Sequence, residues 1–364
     1  MIETRIGGRK APECSPERAK LISLATAVPP HRLAQSDAAE LAREAFAHRF
    51  PDFGRIARVF KTTGIQSRYV IKPIDWYLHP MGWPERTAAY LEGAQDLFVA
   101  AAEKALAAAG YKASEVDAVV TVSSTGIATP SLEARVADRM GFRPDIERVP
   151  VFGLGCAGGV NGLAIATRMA EARPGATVLM VAVEVCSTAF RLDKLTKANM
   201  VATALFADGA AACLLRAGER GGIEVEGAGQ HMWPDTLNIM GWNIDDEGLG
   251  VIFDRDIPPF AHEKVGPAVD SMLQRLGIAR CSIDRFACHP GGAKVITALE
   301  QTLHLEQGTL DHERTVLADY GNMSAPTVMF VLERLMAAGL PKRTVMTAMG
   351  PGFSCGVLSL ARAA

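Results

Sequence analysis

An α/β layered architecture built from two related halves is the fold class that this chain of 364 residues predicts. Short apolar strands alternate with helical patterns along the whole length, as layered α/β folds require. The chain also repeats itself at an offset of 167 residues. Finally, each copy places a loop of small residues directly before a long amphipathic helix.

The repeat is legible element by element. "KALAAAGYKASEVD" (104–117) precedes the strand "AVVTVS", and "SMLQRLGIARCSID" (271–284) precedes the strand "RFACH". Gly110 and Gly277 stand 167 apart, each seven residues before an aspartate, Asp117 or Asp284. Further on, "CAGGVNGLAIATRMAEA" leads into the strand "ATVLMVAVE", and "NMSAPTVMFVLERLMAAG" leads into "RTVMTAMG". Thr177 and Thr344 open those strands, again 167 apart. Two copies of this length exclude a solenoid. They read as duplicated α/β units packed face to face, with "RAGERGG" (216–222) as the seam. The expected organisation is a mobile leader over residues 1–20, an N-terminal half over 21–220 and a C-terminal half over 221–364.

Composition narrows the function classes. The chain is 49% hydrophobic and 21% charged with a net charge of −2, enough for a large core. That balance gives no electrostatic reason to expect nucleic acid or an anionic membrane surface. No apolar run approaches the roughly 18 residues of a membrane span, and the start of the chain lacks the apolar stretch of a signal peptide. Seven cysteines at 14, 156, 186, 213, 281, 288 and 355 form no C-x-x-C pair. No zinc site or redox dithiol is therefore expected, and a reducing cytoplasm is. In that compartment the sequon at Asn322–Ser324 carries no glycan.

The loop "GLGCAGGVNGLAIA" (153–166) supports two readings. Gly153, Gly155 and Gly158 fit G-x-G-x-x-G, a strand precedes them, and the next strand ends in Glu184, the parts of a dinucleotide-binding unit. The acid lies 26 residues beyond Gly158, however, past the usual ~20. In the second reading the loop presents Cys156 at a helix N-terminus, whose partial positive charge favours a thiolate. With an imidazolium nearby, such sites lower a thiol from about 8.5 to roughly 3.5–7.5, and the glycines then serve as clearance around the sulfur. Cys186, Cys213, Cys288 and Cys355, in or beside apolar strands, read as small core residues.

The repeat supplies candidate partners. Cys156 maps onto Met323, next to Asn322 in "YGNMS", and "VSSTG" maps onto "ACHPGG", where His289 ends its strand. Packing about a pseudo-twofold axis lets Cys156, His289 and Asn322 converge. A Cys, a His and an Asn together can activate a thiol and polarise a carbonyl. Taken singly, His289 is equally a structural histidine and Asn322 equally a helix cap.

Taken together, "GLGCAGG", "CHPGGAKV" and "YGNMSAPTV" resemble the catalytic segments of type III polyketide synthases, the chalcone-synthase-like enzymes of the thiolase fold. The resemblance runs from about "LISLATAVPPHRLAQSD" to the C-terminus. Pro-Gly-Gly after His289 favours this family over ketoacyl synthases of fatty-acid initiation, where His-Gln-Ala-Asn is expected. It implies a thiolase-like fold in α-β-α-β-α layers and a homodimer that uses acyl-CoA and malonyl-CoA with no metal or other cofactor. It also implies that Cys156 takes the starter acyl group, while His289 and Asn322 orient malonyl-CoA and stabilise the enolate left by decarboxylation. Hydrogen bonds aimed at such an oxyanion contribute about 2.7–4 kcal/mol each. Phe206 and Phe253 match the gatekeeping phenylalanines, and Arg55, Arg58 and Lys61 fall near the residues that meet coenzyme A phosphates.

Departures from the family pattern point to the starter. The GFGPG loop keeps only its second half, as Gly350, Pro351 and Gly352. Thr129 stands where plant enzymes carry a Met that enters the partner's cavity, and Ala189 where they often carry Thr. Both are shorter, so a roomier or differently routed pocket is expected. At about 0.8 kcal/mol per buried methylene, such a pocket favours a medium or long acyl starter, giving an alkylpyrone or alkylresorcinol. The rival expectations are a single condensation fed by acyl carrier protein, and a dinucleotide-binding oxidoreductase.

Overall fold

The computed structural model describes residues 17–48, 53–194, 196–219 and 221–362. In chain order the strands are β1 (Ala19–Ala27), β2 (His31–Ala34), β3 (Ser67–Val70), β4 (Ala118–Val122), β5 (Glu147–Val151), β6 (Thr177–Val185) and β7 (Asp208–Ala217). There follow β8 (Ile223–Met232), β9 (Met240–Asp245), β10 (Gly248–Phe253), β11 (Arg285–Cys288), β12 (Arg343–Gly350) and β13 (Ser354–Arg362). The helices that position the site are α1 (Gln35–Phe46), α2 (Trp83–Ala109), α3 (Gly158–Ala172), α4 (Lys197–Leu205), α5 (Gly266–Arg275), α6 (Ala293–Thr302), α7 (Asp311–Tyr320) and α8 (Thr327–Ala337).

Nine strands are hydrogen-bonded in the order β11-β12-β13-β8-β1-β7-β6-β4-β5. β1 and β8 meet only through Lys20–Glu224 and Leu21–Ile223, so the sheet is two half-sheets sharing a narrow join. Outward from that join the halves correspond, β1-β7-β6-β4 matching β8-β13-β12-β11. β4 pairs with β6, and β11 with β12, in parallel. The aspartates of the repeat do the same work in each half. Asp117 accepts from the Thr177 amide at 2.8 Å and Asp284 from the Arg343 amide at 2.7 Å, tying each crossover to the start of the next strand.

Strand alternation divides the side chains between two cores. In β6, Leu179, Val181 and Val183 point outward against Ala94, Leu97, Phe98 and Ala101 of α2, while Val178, Met180 and Ala182 point inward. The inward core is filled by Val160, Leu163 and Ala164 of α3 and by Val328, Met329 and Leu332 of α8. On the far side, Val345 of β12 and Val357 of β13 pack against Val269 and Met272 of α5 and Ile296 and Leu299 of α6. The result is the expected α-β-α-β-α layering, with strands buried on both faces. Each large apolar side chain buried here contributes about 1.5–3 kcal/mol.

β1 begins at Ala19, inside the expected leader, and residues 1–16 lie outside the described residues. β7 ends at Ala217 and β8 begins at Ile223. Two small two-stranded sheets, β2/β3 and the hairpin β9/β10, stand apart from the main sheet. Among the described residues no helix is long and apolar enough to cross a membrane.

Candidate active site

Cys156 sits in a single 3-10 turn, Gly155–Ala157, that runs directly into α3. Gly153 and Gly155 have φ of 89° and 48°, a region that side chains with a Cβ rarely adopt. Their amides both donate to Ser124 Oγ, at 3.1 and 3.2 Å, which pins the turn to the end of β4. The loop after β12 closes on the other side. A Cβ on Gly155 would lie 2.6 Å from Pro351 Cδ, and one on Gly350 would lie 2.4 Å from the Leu154 carbonyl oxygen. Gly350 and Pro351 thus seat the Cys156 turn, whereas Gly352 faces Met232 and Ser354.

The remaining glycines of this loop do not clear space around the sulfur, contrary to expectation. A Cβ on Gly158 would meet Val122 and Ala325, one on Gly159 would lie 2.3 Å from Ala325 O, and one on Gly162 would meet Val122 and Met180. They let α3 approach β4, β6 and the segment opening α8.

Asn322 joins the three candidates. Its backbone amide donates to Leu205 O at 2.9 Å and its carbonyl accepts from the Ala207 amide at 2.9 Å. Its Oδ1 accepts from the Ser324 amide at 2.8 Å, which fixes the amide orientation and turns Nδ2 toward Gly291 O, 3.3 Å away. Ser324 shares a cavity wall with Cys156, and the Ser324 and Asn322 side chains pull the pKa of its thiol down. Gly291 belongs to the loop that carries His289 off the end of β11, and the His289 amide is anchored on Thr347 O at 2.8 Å. His289 is 3% exposed, and neither of its ring nitrogens has a hydrogen-bond partner among the described residues. Asn322 and Ser324 are buried as well, so the sequon is closed to a glycosylating enzyme.

The thiol is not depressed. Burial pushes Cys156 up to about 12 against the pull of Ser324 and Asn322, and the neighbouring Glu184 carboxylate adds to the rise. Burial likewise pushes His289 down to about 3. The helix N-terminus is present, but a sulfur removed from water loses more than that dipole returns.

Glu184 was expected at most as a ribose ligand. It is fully buried, accepts from the Ser124 amide at 2.9 Å and Thr125 Oγ1 at 2.8 Å, and burial pushes it up to about 7. It belongs to the wall around Cys156, and no dinucleotide can reach it there. Its signal in the sequence was a lone acid inside the otherwise apolar strand "TVLMVAVEV".

Phe206 and Phe253 stand edge to face, ring centroids 6.3 Å apart. With Cys156, Ser324, Pro351, Met240 and Trp242 they enclose a cavity of about 40 Å³. Phe253 also lines an outer cleft of about 260 Å³, bounded by Val59, Thr62 and Gly291–Val295, so it stands at the neck between the two. The cations on that cleft are Lys197, Arg255 and Lys294. Arg55, Arg58 and Lys61 lie exposed in the neighbouring stretch that supplies Val59 and Thr62 to its wall. Lys197, Arg255 and Lys294 were missed because they come from three distant segments.

Thr129 is exposed on its loop, outside the Cys156 cavity of its own chain. Trp242 lines that cavity, held by a 2.7 Å hydrogen bond from its Nε1 to Ser124 O. Ala189 lines a separate inner cavity of about 50 Å³ with Leu33, Leu41, Tyr77 and Arg68. Cys186 and Phe206 are walls common to both cavities, so Cys186 is more than core filling.

A duplicated five-layer α/β fold with a Cys, a His and an Asn gathered where the halves meet defines a condensing acyltransferase of the thiolase fold. The N- and C-terminal domain models of chalcone and stilbene synthases match residues 8–219 and 224–361. The chain belongs to that family, the type III polyketide synthases, whose members condense acyl groups with malonyl-CoA by decarboxylation. It is 39% identical to a 1,3,6,8-tetrahydroxynaphthalene synthase of Streptomyces peucetius, over 90% of this chain and 89% of that one. It is 36% identical to a putative chalcone synthase of Bacillus subtilis, over 93% and 97%. The crystal structure of the 1,3,6,8-tetrahydroxynaphthalene synthase of Streptomyces coelicolor superposes with a TM-score of 0.90 at 26% identity, covering 95% of this chain and 99% of that one.

Proposed function

We propose that Cys156 accepts the starter acyl group from a coenzyme A thioester and that His289 and Asn322 act on malonyl-CoA. The carrying observation is Asn322, whose Nδ2 donates to Gly291 O beside His289 and whose side chain pulls the pKa of the Cys156 thiol down. The thiol proton passes to a free ring nitrogen of His289, the thiolate attacks the thioester carbonyl, and the departing coenzyme A thiolate takes a proton back. Asn322 Nδ2–H and the neutral imidazole N–H then donate to the malonyl thioester oxygen. Carbon dioxide leaves, the enolate attacks the acyl-Cys156 carbonyl, and the sulfur departs as thiolate. Neutral donors in a dry site suit a charge that develops only during reaction. No metal or other cofactor takes part. Phe253 gates the neck, and Lys197, Arg255 and Lys294 receive the coenzyme A phosphates.

For the starter, the reading is a medium or long acyl chain whose tail passes the Cys186–Phe206 wall into the apolar inner cavity, with closure to a pyrone, resorcinol or phloroglucinol ring. The way Trp242 narrows the Cys156 cavity favours a second reading, a starter as small as malonyl itself. The protein acts in the cytoplasm as a homodimer, its halves dividing near residue 220. Support for the dimer comes from β5, which has a free outer edge with Phe152 and Ile127 exposed beside it.

Incubation with malonyl-CoA and acyl-CoAs of graded length, with mass spectrometry of products, separates the starters. Products carrying long alkyl tails support the first reading, and products built from malonyl-CoA alone support the second. Acylation that persists in Cys156→Ala overturns the mechanism. Delivery only from acyl carrier protein with release after one extension supports the single-condensation rival, and NADH binding unaffected by Cys156→Ala supports the oxidoreductase.

A further inference from the structure

Arg68 is among the largest fully buried side chains, 2% exposed, yet no carboxylate is hydrogen-bonded to it among the described residues. Its Nη1 donates to Thr203 O at 2.6 Å and to Phe206 O at 2.9 Å, and its Nη2 donates to Ala204 O at 2.8 Å and to Gln35 Oε1. Thr203 and Ala204 lie in the last turn of α4, whose final carbonyls have no partner within the helix. Gln35 supports the same point by donating from Nε2 to Ala204 O at 3.1 Å. A cation there also meets the negative end of the α4 dipole. Burying a charge costs stability: burial lowers Arg68 to about 10, and the nearby Asp208 carboxylate offsets part of that fall.

The segment that Arg68 holds is the one that shapes the active site. Leu205 O accepts from the Asn322 amide and the Ala207 amide donates to Asn322 O, each at 2.9 Å, so residues 205–207 grip the Asn322 backbone from both sides. Phe206, between them, presents its ring to Phe253 and the Cys156 cavity. We propose that Arg68 is a positioning residue that fixes the end of α4 and thereby sets Phe206 and Asn322 together for the malonyl half of the reaction. A planar fork reaching four acceptors does this, and a lysine ammonium, with one nitrogen, cannot. Cys156 is held by other groups, Ser124 and Pro351, so loading of an acyl group too short to reach the inner cavity that Arg68 lines does not depend on Arg68.

The inference rests on the role proposed for Asn322, and the test separates the two. In the full-length enzyme, loading of Cys156 from acetyl-CoA, whose acyl group is too short to enter the inner cavity, is read by intact mass and malonyl-CoA decarboxylation by carbon dioxide release, for Arg68→Lys, Gln35→Leu and Asn322→Ala. Because displacements near 1 Å cost up to about a hundredfold in rate, Arg68→Lys is expected to lower kcat for decarboxylation by roughly tenfold while loading stays within about twofold. Gln35→Leu, which keeps the guanidinium, is expected to shift the same ratio in the same direction by less, and it serves if Arg68→Lys fails to fold. Equal loss of both half-reactions in the variant that folds, or no change in either, overturns the positioning role. If Asn322→Ala itself spares decarboxylation, the reading of Asn322 fails and this inference falls with it.

Discussion

Gly158 and Ala325 occupy equivalent positions in the two halves, 167 residues apart, and they face each other where the two central helices begin. A Cβ on Gly158 would lie 3.1 Å from Ala325 Cβ, and one on Gly159 only 2.3 Å from Ala325 O. The pseudo-twofold axis thus passes through a contact that admits no side chain on α3. Gly159→Ala should cost about 1–3 kcal/mol, as overpacking of a tight core does, and lower Tm. Gly54→Ala, with nothing within 4 Å of the added methyl, should not. Equal Tm values for the two variants would contradict the close approach.

The resting thiol should alkylate as a thiol of raised pKa. With Cys156 near 12 and His289 near 3, the thiolate fraction rises about tenfold per pH unit across neutral and mildly alkaline pH. The rate of iodoacetamide labelling at Cys156 should climb steadily from pH 6 to 10. A plateau below pH 7 would reveal a resting ion pair instead.

Glu184 makes a pH-dependent stability prediction. Its folded value, about 7, lies above the ordinary carboxylate range. Between the unfolded and folded values the native state holds the extra proton, so this group's contribution falls as pH rises through that window. The penalty is complete above pH 7 and absent in acid. Glu184→Gln removes the penalty, so its Tm relative to the parent enzyme should be more favourable at pH 8 than at pH 5. The opposite order would show that the buried carboxylate is stabilised in its charged form.

Lys197, Arg255 and Lys294 line the outer cleft, and Arg55, Arg58 and Lys61 do not. Alanine at each of the first three should raise KM for malonyl-CoA by up to roughly tenfold, the scale of one charge-assisted hydrogen bond. The effect should shrink at high salt. Alanine at Arg55, Arg58 or Lys61 should change KM less. A reversed ranking would restore the assignment expected from the sequence.

Phe152 is 54% exposed beside the free edge of β5. Phe152→Asp places a charge on that edge and should convert a dimer to monomer in light scattering. An unchanged mass would place the interface elsewhere.

Much of the fold was legible because duplication writes itself into the chain. An offset of 167 between Gly110 and Gly277 and between Asp117 and Asp284 needs no coordinates, since identical local tasks select identical residues. Cys156, His289 and Asn322 were legible for a similar reason: each ends an element, and the repeat showed that such ends could meet. The cations of the cleft, the inner cavity and the grip of Arg68 on α4 left no such trace. The cleft's cations span 97 residues and Arg68 lies 135 residues from Thr203, and nothing local marks one surface lysine or one buried arginine from another.

The sequence by itself determined the duplicated α/β architecture, the strand-end placement of the Cys, His and Asn, and the family pattern of their motifs. Only the tertiary structure decided the sign of the Cys156 shift, the second purpose of its glycines and the size of the cavity. Those properties depend on what surrounds each group. Burial overrides the helix dipole at the sulfur, Ala325 O lies close to Gly159, and Trp242 reaches in from a hairpin 86 residues further along the chain than Cys156.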